Sequence, residues 1–143
     1  MTAQVLFRKE LKIDSEDDVV IVRQAVRAAA QQLGFDAFAT AAVTTAASEL
    51  ARNVWTHARG GSAVIEQVTL NGRQGVRLEL VDQGPGIADL GRAMAGGFST
   101  AKSLGLGLSG SKRLVDEFEV QTTPGAGTVV KVVKWARFSS RIG

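Results

Sequence analysis

Eight of the chain's sixteen glycines fall between Val81 and Gly110. A stretch so poor in side chains cannot carry a core, so the flanking segments must supply the scaffold and this one is left to meet a ligand. It opens with Val-Asp-Gln-Gly-Pro-Gly-Ile (Val81–Ile87) and closes with Gly-Leu-Gly-Leu-Ser-Gly (Gly105–Gly110). The segment between, about 88–104, has little to bury beyond Leu90, Met94 and Phe98. It predicts a mobile lid hinged by glycine, with one short helical turn at Asp89–Ala95.

The flanks read as ordinary elements. Gln4–Ile13 alternates as an edge strand, with an irregularity expected near Lys9-Glu10. Ser15-Glu16-Asp17-Asp18 resembles a capping box, and Val19, Val22, Val26, Ala29, Ala30 and Leu33 then mark one helix stripe that Gly34 ends. A second helix is expected from Phe38 to Ala58, broken by Arg59-Gly60-Gly61. Strands over Gly61–Leu70 and Gly75–Val81 flank Asn71-Gly72, a hairpin signal, with the loop possible out to Gly75. A helix Leu106–Asp116 and two strands, Glu117–Thr122 and Thr128–Trp135, complete the order β-α-α-β-β-lid-α-β-β. All 143 residues fit a single domain, 1–143.

Composition excludes several chemistries. There is no cysteine, hence no disulfide or thiolate metal site, and a single histidine, His57, rules against a His-based metal site or a Ser-His-Asp triad. His57 is expected to be structural. No apolar run reaches the ~20 residues of a membrane span, and the N-terminus lacks a signal-peptide layout, so a cytoplasmic protein is expected, away from membranes. The net charge is +3. Its lysines and arginines are dispersed, without the clustering a nucleic-acid partner requires.

Glu49 and Asn53, spaced i, i+4, share a helix face. A carboxylate and a carboxamide one turn apart are a solvated polar face or, beside an anion site, part of a binding site. Asp82 at a strand end can accept a hydrogen bond from an exocyclic amine such as adenine's, or can close a plain Asx turn. Gly105–Gly110 matches G-x-G-x-x-G, but no strand precedes it and no acid sits some twenty residues on, so a dinucleotide fold fails. A phosphate-binding P-loop also fails, because Ser111-Lys112 stands where Lys-Ser/Thr is required. What survives is a glycine-rich turn opening a helix, whose free N–H groups and dipole make a phosphate cradle. Lys102, beside it, is a candidate γ-phosphate contact.

Taken together, Glu49-x-x-x-Asn53, Asp82-x-Gly84-x-Gly86, Gly105-x-Gly107-Leu108 and Pro-Gly-Ala-Gly-Thr (Pro124–Thr128) resemble the ordered boxes of the GHKL ATPases, across nearly the whole chain. The resemblance implies an α/β fold: a two-layer sandwich of the Bergerat ATP-binding type, with a mixed sheet and helices on one face. Within that superfamily the chain is similar to the small stand-alone serine/threonine kinases of bacterial stress and sigma-factor control. It lacks the phosphoacceptor histidine and extra helices of a sensor histidine kinase. The resemblance implies ATP and Mg²⁺, with Glu49 as general base for the acceptor hydroxyl and Asn53 as metal ligand. Asp82 would hold the adenine amino group, with Gly84, Gly86 and Ile87 around the base and Thr128 supporting through water. Gly105, Leu106, Gly107 and Leu108 would meet the phosphates. The implied substrate is a STAS-domain protein of a stressosome, and the implied second partner a PP2C-type phosphatase activated by the released kinase. The alternative is a nucleotide-gated module or anti-sigma kinase that sequesters a sigma factor.

Overall fold

A computed structural model describes residues 2–84 and 103–136. The elements are β1 (Gln4–Ile13), α1 (Glu16–Gln32), α2 (Ala37–Asn53), a π-helical turn (Val54–Ala58), β2 (Gly61–Leu70), β3 (Arg73–Asp82), α3 (Ser103–Leu114), β4 (Glu117–Thr123) and β5 (Gly127–Trp135). The order and type of elements are those expected from the sequence. Among the described residues no helix is long and apolar enough to cross a membrane. Most of the lid expected at 88–104 lies outside the described residues; its last two positions, Ser103 and Leu104, begin α3.

Local chemistry explains the boundaries. At the start of α1 the expected capping box is only half made. Ser15 makes no side-chain cap, while the Asp18 carboxylate reaches back to accept the Asp14 N–H at 2.8 Å. The other end closes with Gly34 at φ 79°. The Gly34 N–H donates to Gln31 O and the Phe35 N–H to Ala30 O, each at 3.0 Å, which satisfies two carbonyls of the last turn. α2 starts on Asp36, whose Oδ1 accepts the Ala39 N–H at 2.7 Å. The β2–β3 hairpin is a two-residue turn: Leu70 pairs with Arg73, and Asn71 and Gly72 both take positive φ. β3 therefore begins two residues earlier than expected. The β1 irregularity falls between Val5 and Phe7, not at Lys9-Glu10.

The sheet order is β1-β2-β3-β5-β4, and every pairing is antiparallel. This corrects the mixed sheet expected. Two helices, not one, join β1 to β2, so the chain returns running against β1. β3 and β4 run in the same direction, but β5 inserts between them and pairs antiparallel with both.

Val22, Val26 and Ala29 of α1, Val43, Ala47 and Leu50 of α2, and Leu108 of α3 bury against Ile65, Leu78, Leu80 and Val132 of the sheet. Fully burying each aliphatic side chain contributes about 1.5–3 kcal/mol. The opposite sheet face has its own small cluster of Val68, Val133 and Trp135. Beside it Glu66 pairs with Arg77 at 2.7 Å and with Arg8 at 3.8 Å. In the hairpin Ile65 faces Leu78, while Val68 and Leu70 lie on this second face.

Candidate functional site

α2 brings Glu49 and Asn53 to its C-terminal end. Small residues on its inner flank, Ala39, Ala46, Ala47 and Ala51, let it sit close to its neighbours and hold its axis in place. Asn53 is 9 % exposed, and its Nδ2 has no hydrogen-bond partner among the described residues. An unsatisfied buried amide costs about 1–3 kcal/mol. A bound ligand is one partner that would offset such a cost. Glu49, one turn earlier, is different. Its side chain is about half exposed, and its Oε2 lies 3.4 Å from Nη1 of Arg52.

Past Asn53 the helix widens. Val54–Ala58 form a π-helical turn, which ends where Arg59 takes a left-handed conformation at φ 61°. Such turns insert one extra residue into a helix and re-aim what flanks it. The sequence predicted helix as far as Ala58 but carried no signal for this change of pitch.

Two glycines let the sheet close on this turn. A Cβ on Gly61 would fall 2.9 Å from Val54 Cγ1 and 3.1 Å from Asp82 Cα, against the Val81 carbonyl. A Cβ on Gly84 would lie 2.6 Å from Ala58 Cβ. The end of β3 is thereby drawn against the end of α2, which brings Asp82 to the same end of the molecule as Asn53. The Asx turn expected as one alternative is present, since Asp82 Oδ1 accepts the Gly84 N–H at 2.9 Å. A carboxylate has acceptor capacity left for an amine after one such bond.

Asp82 lies between Gly61 on β2 and Thr128 on β5. Thr128 is buried, and its Oγ1 is 3.0 Å from Oγ1 of Thr122. Gly127 precedes it at φ 134°, where a Cβ would strike the Asp82 carbonyl. Asp82 and Thr128 therefore form one polar edge at the end of two adjacent strands. His57, in the π turn, has its pKa lowered from the ordinary 6.5 by burial; the charge of Asp82 pulls the other way and only partly offsets this. At neutral pH the ring is uncharged.

α3 packs against α2 and supplies the remaining piece. It starts at Ser103, three residues before the expected Leu106, and ends at Leu114. The first four N–H groups of a helix have no intrahelical partner. In α3 as described, these include the amides of Gly105 and Leu106. The amides of Gly107 and Leu108 fall within the intrahelical ladder, and the Leu108 side chain is in the core at 2 % exposure. Gly86, Ile87 and Lys102 lie outside the described residues. Two features escaped the sequence reading. Arg52 stands three residues after Glu49, a helical charge spacing that would have revealed the pair. Ser111, whose buried Oγ lacks a partner, gives no sequence signal.

The family model for the histidine kinase-like ATPase domain matches residues 14–134. The serine/threonine-protein kinase RsbT of Bacillus subtilis (strain 168) is 46 % identical over 127 residues, covering 89 % of this chain and 96 % of its own length. The anti-sigma F factor of Caldanaerobacter subterraneus subsp. tengcongensis is 32 % identical over 133 residues, covering 88 % of this chain and 92 % of its own. That of Thermoanaerobacter sp. (strain X514) is 32 % identical over 118 residues, with coverage of 79 % and 82 %. A family match over most of the chain, with relatives spanned nearly end to end, agrees with the convergence of α2, β3, β5 and α3: the chain belongs to the histidine kinase-like ATPase family.

Proposed function

We propose that this chain is an ATP-dependent protein serine/threonine kinase of a partner-switching pathway, acting in the cytoplasm. The observation that carries the reading is the buried Nδ2 of Asn53, a donor with no partner among the described residues and so placed to meet a phosphate oxygen, one helical turn from the accessible carboxylate of Glu49. An amide kept unsatisfied beside a base suits a site that orients phosphates and then removes a proton.

In this reading Asp82 and Thr128 bind the adenine edge, and the free amides opening α3 meet the phosphates. Asn53 Oδ1 would hold Mg²⁺. No group of three His, Asp or Glu able to hold an ion occurs among the described residues. Mg²⁺ suits such a site, because it takes one or two protein oxygens and completes its shell with phosphates and water. When bound, it neutralises phosphate charge. Glu49 accepts the proton of the attacking hydroxyl. Phosphoryl transfer needs positioning and charge neutralisation more than covalent help, which this chain's residues are placed to give.

The 46 % identity to a protein named as a serine/threonine kinase supports a hydroxyl acceptor. We take the substrate to be a STAS-domain protein of a stressosome and the second partner a PP2C-type phosphatase, as the family resemblance implies. The similarity to anti-sigma F factors supports a second reading, a nucleotide-gated module that holds a sigma factor. The deciding experiment is transfer from γ-labelled Mg-ATP to the STAS protein encoded nearest this gene, with wild type and Glu49→Gln. Acid-stable label that disappears in the variant is expected. ATP-dependent complex formation without label would favour the binding module.

A further inference from the structure

The base proposed for the reaction is not free. Arg52 follows Glu49 by three residues on α2, and its Nη1 meets Glu49 Oε2 at 3.4 Å. Both side chains are close to half exposed, and neither is fixed by the core. Asn53, the next residue, is buried, while the Arg52 side chain is about half exposed. The helix therefore carries the site's ligand group inward and a cation for its base outward, on consecutive positions.

Taking Glu49 as the base of the proposed kinase, we infer that Arg52 is a positioning residue that discriminates against water as phosphoryl acceptor. In hydrolysis the water oxygen attacks the γ-phosphorus. The bond from that phosphorus to the β–γ bridging oxygen breaks, ADP leaves with its electron pair, and the water proton passes to Glu49. With Arg52 on Oε2, one of the two carboxylate oxygens is taken. Water can hydrogen-bond to the guanidinium but brings no negative charge to displace the carboxylate from it. A protein acceptor covers this exposed helix face and offers its own oxygens to Arg52, so the base is released only beneath it. The pairing is suited to such a handover, because one long contact between exposed groups is weak and salt-screened.

The test measures acceptor-free Mg-ATP hydrolysis and transfer to the protein substrate for wild type, Arg52→Ala, Arg52→Lys and Arg52→Ala/Glu49→Gln. Arg52→Ala is expected to raise hydrolysis about two- to fivefold, the ceiling set by the strength of exposed ion pairs. Transfer should not rise in step. Arg52→Lys should restore most of the suppression, and the double variant should lose the added hydrolysis. High salt should raise hydrolysis in wild type but not in Arg52→Ala. Unchanged or lower hydrolysis in Arg52→Ala, with Glu49→Gln still abolishing transfer, overturns the role of Arg52 and leaves the kinase intact. Transfer that survives Glu49→Gln instead removes the base on which the inference rests.

Discussion

Gly84 lies against Ala58 so closely that a Cβ added to it would sit 2.6 Å from Ala58 Cβ and 2.8 Å from Ala58 Cα. This contact ties the exit of β3 to the π turn after Asn53. Gly84→Ala should therefore cost about 1–3 kcal/mol of stability through overpacking, and should weaken nucleotide binding beyond that loss by moving Asp82. Thermal unfolding and ATP titration on the same sample separate the two effects. An unshifted melting curve would show that the strand end yields freely.

Asn53 is expected to trade stability for function. Asn53→Ala removes a buried amide that lacks a partner, so the melting temperature should hold or rise, while Mg²⁺-dependent nucleotide binding should be lost. Calorimetric titration with ATP, with and without Mg²⁺, checks this. A large drop in stability would mean that the carboxamide is a structural group.

Ser111→Ala should stabilise the fold by about 1 kcal/mol, because its buried hydroxyl also goes unpartnered. Unlike Asn53, it is expected to leave nucleotide affinity unchanged. Denaturant melts of the variant decide the first point, and a single ATP titration the second.

Acid should act through His57. Its pKa is lowered in the folded protein by burial, against the opposing charge of Asp82. The unfolded chain therefore binds the proton more readily. The stability this ring contributes is full above the ordinary value of about 6.5 and is lost as pH falls through the lowered folded value. His57→Gln should flatten stability over that window. Asp82→Asn, which removes the negative charge that favours the protonated ring, should move the ring's titration to still lower pH by NMR.

The scaffold was largely legible in the chain. Valine and alanine spacing in α1, the Asn71-Gly72 turn and the alternation of β4 and β5 are local signals, and each produced the element expected. Sheet direction was not legible, because it depends on β5 inserting between β3 and β4, a contact between segments distant in sequence. Glu49, Asn53 and Asp82 could be singled out from their residue types and spacing, whereas Thr128 was named only through the family resemblance. The tie between Ala58 and Gly84 could not be foreseen, since it arises only when a π turn and a strand end meet. The start of α3 was misplaced for a local reason: glycines at Gly105 and Gly107 read as a turn, yet the helix begins before them at Ser103.

The place of β5 has a consequence for the order in which the protein is made. Thr128 stands beside Asp82 only after β5, which follows β4 in the chain, has threaded between two strands already synthesised. A nascent chain that has emerged as far as β4 has the helix bearing Glu49 and Asn53 but not the strand that brings Thr128 to Asp82. Under the proposed function, the edge assigned to adenine is the last part of the site to be completed.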